Sequence, residues 1–345
     1  MSTIPYGPQT NFSIFEDTMA EMTWQEVEAA ARRGAAVLLP VGIVEAHGPH
    51  MDLTPDFYIS AIYCRYLRQE LCTLGCEAII APTVYWGVSE ALAKYPGTFS
   101  VRPETMRRLL CDVLDSLARW GFRNVFIFNA HGDPVHMDTI REAAGISSRD
   151  DFRAFCLFDL ESFPVEDEVP LPPMREDGYQ PDYHAGAVET SQVNAFFPEK
   201  VRRELARTLP PSATFDPLAY CGDPENFESE INVAEICSVD VRNDARRIRK
   251  LLSCDLTGII SRVQRMEGIF DALSDAFSRN PDSVKTDPGL QEQLRVLCAY
   301  YDGGQWMADY ACDEQGMLPR DLKRGVLSED GVYNLLCDIE QAARE

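Results

Sequence analysis

Four short apolar runs, residues 35–41, 78–84, 124–128 and 154–160, alternate along the first half of the chain with four stretches of helical character, 24–34, 57–71, 102–120 and 134–144. The runs are too short for buried helices and read as buried strands. Strands that take turns with helices commit a chain to a mostly parallel sheet covered on both faces. The helix starts and stops carry their own signals. Thr23-Trp24-Gln25-Glu26 is a capping box, and Gly34, Gly75 and Gly121 stand just past three helix ends. The expected fold is therefore α/β, a layered domain with a mostly parallel central sheet flanked by helices. Residues 161–182 are acidic and rich in proline, as a long surface loop would be. Residues 241–266 read as one arginine-rich helix, and 285–345 as helical too. We divide the chain at 1–240, the α/β domain, and 241–345, a mainly helical C-terminal extension packed on it or mediating assembly.

In such sheets ligands bind beyond the carboxyl ends of the strands. The five histidines of the chain fall in three short motifs, two of which lie at such ends. Glu45-Ala46-His47-Gly48-Pro49-His50 follows the first run, with Asp56 six residues on. Asn129-Ala130-His131-Gly132-Asp133-Pro134-Val135-His136 follows the third. His184-Ala185-Gly186-Ala187-Val188-Glu189-Thr190-Ser191 comes after the acidic loop and opens a helix. Neutral imidazole and carboxylate are the ligand types preferred by Zn²⁺, Mn²⁺ and Fe²⁺. Glu45 and His47 are two apart in extended chain, so their side chains point the same way. His131 and Asp133 repeat that spacing. Asp56 opens the next helix, where a carboxylate can bridge two ions, and Glu189 offers a further carboxylate. Two divalent ions about 3.5–4 Å apart can share a hydroxide and polarise a carbonyl, which is a hydrolase arrangement. His184 or His136 can then deliver a proton to the leaving group.

Each assignment has a plainer alternative. His50 reads as a hydrogen-bond partner behind the ligands. His136 stands on a helix surface or on the wall of the site. Glu189 can belong to a helix cap, and Trp86 and Tyr183 can be core aromatics. We take His136, Trp86 and Tyr183 as substrate contacts and Asp133 as a catalytic carboxylate, with Asp133 or Glu189 completing the second metal position.

The net charge of −23 argues against nucleic acid and anionic membrane as partners. No apolar run approaches the ~20 residues of a membrane span. The first residues carry no basic and apolar leader. The 11 cysteines are dispersed, with no C-x-x-C pair, so a reducing cytoplasmic setting without disulfides is expected.

Four segments carry a family resemblance. Pro40-Val41-Gly42-Ile43-Val44-Glu45-Ala46-His47-Gly48-Pro49-His50, followed by Asp56, resembles the P-x-G-x-x-E-x-H-G-x-H…D signature of the creatininase (creatinine amidohydrolase) family. Tyr95-Pro96-Gly97-Thr98-Phe99-Ser100 resembles its Y/F-P-G-T-I-S segment, Asn129-Ala130-His131-Gly132 its N-x-H-G turn, and 184–191 its H-x-G-x-x-E-T-S segment. The matches come in family order over about residues 20–200. The resemblance implies a layered creatininase-like domain holding two divalent ions per chain, Zn²⁺, Mn²⁺ or Fe²⁺. Glu45, His47, Asp56 and His131 would be ligands, with Asp56 bridging. Asp133 matches a position where creatininase itself has a glutamate ligand, and His184 matches a histidine linked with catalysis. Members hydrolyse cyclic or formyl amides, some act on ring ketones derived from inositol, and they assemble as homo-oligomers, often hexamers. This chain departs from its relatives at His131-Gly132-Asp133-Pro134, where many read H-G-G-N, at Ala187, where many have glutamate, and at Ala46, where E-Q-H is common.

The expected activity is metal-dependent hydrolysis of a small polar cyclic amide. The alternatives are hydrolytic C–C cleavage of a cyclic polyol ketone and, in another class, a non-catalytic metal-binding assembly protein.

Overall fold

In a computed structural model of the chain, the described residues are 4–149, 151–160, 163, 165, 168–170, 182–228, 233–253, 256–314, 318 and 322–344. They divide into two compact units, 1–252 and 253–345. Most of the expected acidic loop at 161–182 lies outside the described residues.

The first unit is built on a four-stranded, all-parallel sheet. Its strands are β1 (Ala36–Val41), β2 (Ala78–Ile80), β3 (Asn124–Asn129) and β4 (Arg153–Cys156), in the order β2-β1-β3-β4. Helices α1 (Trp24–Arg32), α2 (Pro55–Thr73), α3 (Pro103–Arg119) and α4 (Pro134–Ser147) connect and cover them. Helix α1 starts at the expected capping box, with both reciprocal Thr23–Glu26 bonds formed. Every residue of β1 is buried, as a strand covered on both faces must be. Val37, Leu39, Val125 and Ile127 pack on one face against Ala30, Met106, Leu110, Leu114 and Ile140 from α1, α3 and α4. On the other face Phe128 stacks on Tyr63 of α2 at 3.8 Å between ring centres.

Two strands are shorter than their apolar runs. Pairing of β2 ends at Ile80 and resumes only as a single bridge between Val41 and Val84. Pro40 and Pro82 bracket that gap, and neither has an N–H to give the ladder. The run at 154–160 leaves the sheet after Cys156 and closes into a single 3-10 turn, Leu157–Asp159.

Further on lie α5 (Ala187–Phe196), a one-turn α6 (Arg203–Ala206) and α7 (Val233–Ser253). The helix expected at 241–266 is covered by α7 up to Ser253 and by α8 (Leu256–Arg279), and residues 254–255 between them lie outside the described set.

Two local features bring the strand ends to one place. A Cβ on Gly42 would stand 2.7 Å from the Phe57 nitrogen, so only glycine lets the end of β1 touch the start of α2. That contact carries Asp56 towards Glu45. The Ser60 hydroxyl, wholly buried on α2, donates to the Val41 carbonyl (2.6 Å) and accepts from the Ala130 N–H (3.1 Å). One side chain thereby pins α2 to the ends of both central strands.

Among its described residues the second unit has helices and no strand. After α8 come a single turn α9 (Ser283–Thr286), α10 (Pro288–Asp302), α11 (Gln305–Glu314) and α12 (Glu329–Arg344). Val263, Leu273, Leu297, Val326 and Val332 are buried within it. Asp309, fully buried on α11, takes two bonds from the Arg262 guanidinium (2.8 and 2.6 Å) and one from the Tyr300 hydroxyl (3.0 Å).

Candidate metal centre

Glu45 and His47 lie on the loop leaving β1, Asp56 in the first turn of α2, and His131 just past β3. His184 sits on an isolated bridge to Cys221, and Glu189 in the first turn of α5. These six side chains meet. Among the described residues, three groups offer ligand atoms that all lie within 4.8 Å of one another: Glu45, Asp56 and His131; His47, Asp56 and Glu189; and Glu45, His47 and His184. Asp56 belongs to the first two groups, so its carboxylate stands between them. Glu45, His47, Asp56 and His131 are buried.

The hydrogen bonds place one hydrogen on each ring. His47 Nδ1 faces the Glu45 main-chain carbonyl (3.0 Å), His131 Nε2 the Val88 carbonyl (2.9 Å) and His184 Nε2 the Ala46 carbonyl (2.8 Å). A carbonyl only accepts, so those nitrogens carry the hydrogens. The other nitrogen of each neutral ring then presents a bare lone pair, and each faces carboxylates. His47 Nε2 lies 3.2 Å from Glu189 Oε1 and 3.4 Å from Asp56 Oδ1. His131 Nδ1 lies 3.1 Å from Glu45 Oε1 and 3.4 Å from Asp56 Oδ2. His184 Nδ1 lies 3.6 Å from Glu45 Oε1 and 3.8 Å from Glu189 Oε2. Neither Glu45 oxygen nor Asp56 Oδ2 has a hydrogen-bond partner among the described residues.

Acceptors facing acceptors in a buried site require positive charge between them. Protons are one source. Burial works against a charged His47, but Glu189 and Asp56 beside it outweigh that and raise its pKa well above the ordinary imidazole value. His131 is raised in the same way, against burial, by Asp56 and Glu45. Burial would raise Asp56, yet His47 and His131 hold it below the usual carboxylate range, and Glu189 is lowered by His47 and His184. Divalent cations are the other source. The donor set of imidazole nitrogens and carboxylate oxygens, with unsatisfied carboxylate oxygens at its centre, fits them.

Two of the other expected site residues, Asp133 and His136, have their polar atoms engaged by neighbouring groups. Asp133 caps α4. Its Oδ1 accepts from the Val135 and His136 N–H groups (2.8 and 3.1 Å), and its Oδ2 from the Glu90 N–H (3.0 Å). Both oxygens are engaged, and it is in none of the three ligand groups. Proline at the next position favours this helix start and explains the cap. His136, expected as a substrate contact, is wholly buried, with Nδ1 accepting from the Val88 N–H (3.1 Å) and Nε2 facing Asn129 Oδ1 (3.0 Å). Burial, with His131 nearby, pushes its pKa down to about 3.

His50 bonds Thr190 Oγ1 (2.9 Å) and so ties the first motif to the third. Burial, then His47, pushes its pKa down to about 4. Glu189 makes no cap. It accepts from the Ala185 N–H (2.5 Å) with Oε2, leaving Oε1 towards His47. Trp86 and Tyr183 are 39% and 74% exposed, so neither is a core aromatic. Ser60 and the carbonyls of Val88, Glu45 and Ala46 were not foreseen. Ser60 lies one helical turn beyond Asp56, on the same face, which is a usable signal; main-chain atoms leave none.

The parallel sheet and the cluster of imidazoles and carboxylates at its strand ends define an α/β protein with a candidate metal site. Residues 20–235 match the family model described as Creatininase: Creatinine amidohydrolase, and the chain belongs to the creatininase family. Residues 263–345 match a domain of unknown function, DUF4298. The chain is 28% identical over 216 residues to the creatinine amidohydrolase of Pseudomonas putida, covering 58% of this chain and 78% of that one. It is 35% identical over 100 residues to the mycofactocin precursor peptide peptidase of Mycolicibacterium smegmatis, covering 29% and 40%. It is 25% identical over 194 residues to the 3-dehydro-scyllo-inosose hydrolase of Thermotoga maritima, covering 54% and 58%. The matches thus span about two-fifths of the peptidase and under two-thirds of the inosose hydrolase. A solved structure titled Creatininase Mn superposes with a TM-score of 0.56 at 23% identity, over 69% of this chain and 99% of that one, which establishes the shared fold.

Proposed function

We propose that the chain is a metal-dependent amidohydrolase that holds two divalent ions, Zn²⁺, Mn²⁺ or Fe²⁺. Glu45, Asp56 and His131 hold one, and His47, Asp56 and Glu189 the other, with Asp56 shared. The observation that carries this reading is the convergence of three imidazole nitrogens on carboxylates, of which both Glu45 oxygens and Asp56 Oδ2 lack a hydrogen-bond partner among the described residues. Divalent ions at such a site lower the pKa of water and polarise a carbonyl.

The chain's own residues supply the rest. His184 holds and moves a proton at Nδ1. Its Nε2 hydrogen is committed to the Ala46 carbonyl, and its side chain, 9% exposed, is more open than those of His47 and His131. Trp86 and Tyr183, both exposed, contact the substrate at the rim. The substrate class is a small polar cyclic amide. Similarity to a creatinine amidohydrolase over 78% of its length supports C–N cleavage. Similarity to an inosose hydrolase favours a second reading, C–C cleavage in a cyclic polyol ketone. The protein acts as a homo-oligomer, which sedimentation tests.

The deciding experiment is elemental analysis of protein purified without chelator, followed by a mass-spectrometric product screen of the reloaded protein. About two ions per chain and an amine product support the amide reading. A keto acid product selects the ring ketone. No ion bound and none taken up overturns the metal reading. His184→Ala is expected to keep its ions and lose turnover; unchanged turnover removes His184 from its role. Ions retained with no turnover of either substrate class favour a non-catalytic metal-binding protein.

A further inference from the structure

The groups behind His131 form a closed hydrogen-bond circuit, and every polarity in it is forced. His131 Nε2–H donates to the Val88 carbonyl (2.9 Å). The Val88 N–H donates to His136 Nδ1 (3.1 Å), so that nitrogen bears no hydrogen and His136 carries its proton on Nε2. That Nε2–H donates to Asn129 Oδ1 (3.0 Å), which also accepts the His131 N–H (3.2 Å). The Asn129 amide closes the circuit by donating to the His131 carbonyl (2.6 Å). The His136 ring stands edge-on to the His131 ring, with centres 4.8 Å apart.

The seat for His136 is built independently of these bonds. A Cβ on Gly87 would lie 2.6 and 2.7 Å from His136 Cε1 and Nδ1. The glycine leaves room for the ring to reach the Val88 N–H.

We infer that His136 is a positioning residue for ion binding through His131, acting by way of the Val88 peptide. It holds Val88 in place, and the Val88 carbonyl in turn keeps the His131 hydrogen on Nε2 and the Nδ1 lone pair turned to Glu45 and Asp56. The inference rests on the reading of His131 as a metal ligand. Groups that orient a ligating imidazole affect metal affinity by about 10- to 100-fold. Among the described residues, the hydrogen bonds and ion pairs of His47 and Glu189 go to groups outside the circuit.

The test is Co²⁺ titration of the chelated full-length chain against a competing chelator, read by visible absorption. His136→Asn keeps an acceptor where Nδ1 stands, whereas His136→Gln keeps a donor towards Asn129 and loses that acceptor. The expected result is one of two cobalt sites weakened about 10-fold or more in His136→Gln, with an altered absorption band, and both sites close to the parent in His136→Asn. Equal behaviour of the two variants, whether both parent-like or both weakened, overturns the relay. A parent that binds no cobalt overturns the metal reading and the relay with it, so the two failures are told apart by the parent alone. Where His136→Gln does not fold, Gly87→Ala takes its place, because its Cβ displaces the ring without removing a hydrogen-bonding group. One weakened site then supports the relay, and parent-like binding overturns it.

Discussion

The buried carboxylate of Asp309 in one unit and those of Glu45 and Asp56 in the other are treated in opposite ways. In residues 253–345 the buried carboxylate of Asp309 meets fixed donors, a two-pronged Arg262 and the Tyr300 hydroxyl, and nothing is left over. In residues 1–252 Glu45 and Asp56 are as deeply buried, yet three of their four oxygens lack a hydrogen-bond partner among the described residues, and Glu45 Oε1 and Asp56 Oδ2 face imidazole nitrogens. The first arrangement holds a fold. The second leaves charge to be matched from outside, which is the mark of a binding site.

The strongest way to break this contrast is to neutralise one acid in each unit. Asp56→Asn is expected to release at least one ion per chain and to lower turnover by about 10³-fold, or ~4 kcal/mol of barrier, without lowering the melting temperature of the metal-free protein. Elemental analysis, product formation and calorimetry read the three parts. Asp309→Asn should do the reverse. It leaves a partly exposed guanidinium unmatched and costs ~2–4 kcal/mol in denaturant unfolding, with metal content unchanged. Stability loss in Asp56→Asn, or none in Asp309→Asn, would erase the distinction.

A smaller effect comes from acid. His50 is held at about 4 in the folded chain, below the ordinary imidazole value, by burial and then by His47. As pH falls below ~6.5 the unfolded chain takes up the proton first, so stability is full above that pH and declines towards pH 4. By pH 5.5 the loss is about 1 kcal/mol. Melts of the parent should therefore fall further between pH 7 and 5.5 than those of His50→Gln, and parallel curves would contradict the assignment. All five histidines lie in the first unit, so this sensitivity is not shared by the second. Smallest is Asp133→Ala, which removes the cap of α4 and costs ~1 kcal/mol. It should leave metal content at the parent value; a lost ion would return Asp133 to the ligand set.

The fold was legible because its signals are local. Burial on both faces shows as unbroken apolar runs, and a capping box or a glycine shows as itself. The strand ends were misread where Pro40 and Pro82 withhold donors, a fact present in the letters but decided by which side of the strand they face. The cluster was legible because histidine beside carboxylate at a strand end is an uncommon pattern. Asp133 and His136 carry the same letters as site residues and differ only in direction. Asp133 turns back to cap its helix, and His136 turns inward to Val88. Nothing in the residue type records that choice. Gly42 and Gly87 were visible as glycines, but the backbone and ring that approach them come from elsewhere in the chain.

The three groups that orient His47, His131 and His184 are the main-chain carbonyls of Glu45, Val88 and Ala46. A codon change can alter a side chain but cannot delete a peptide oxygen. Ala46 and Val88 are therefore free to drift in identity while still steering their imidazoles, provided the local backbone path survives. The orientation of the site is inherited through chain geometry, and sequence comparison at those two positions would undervalue what they do.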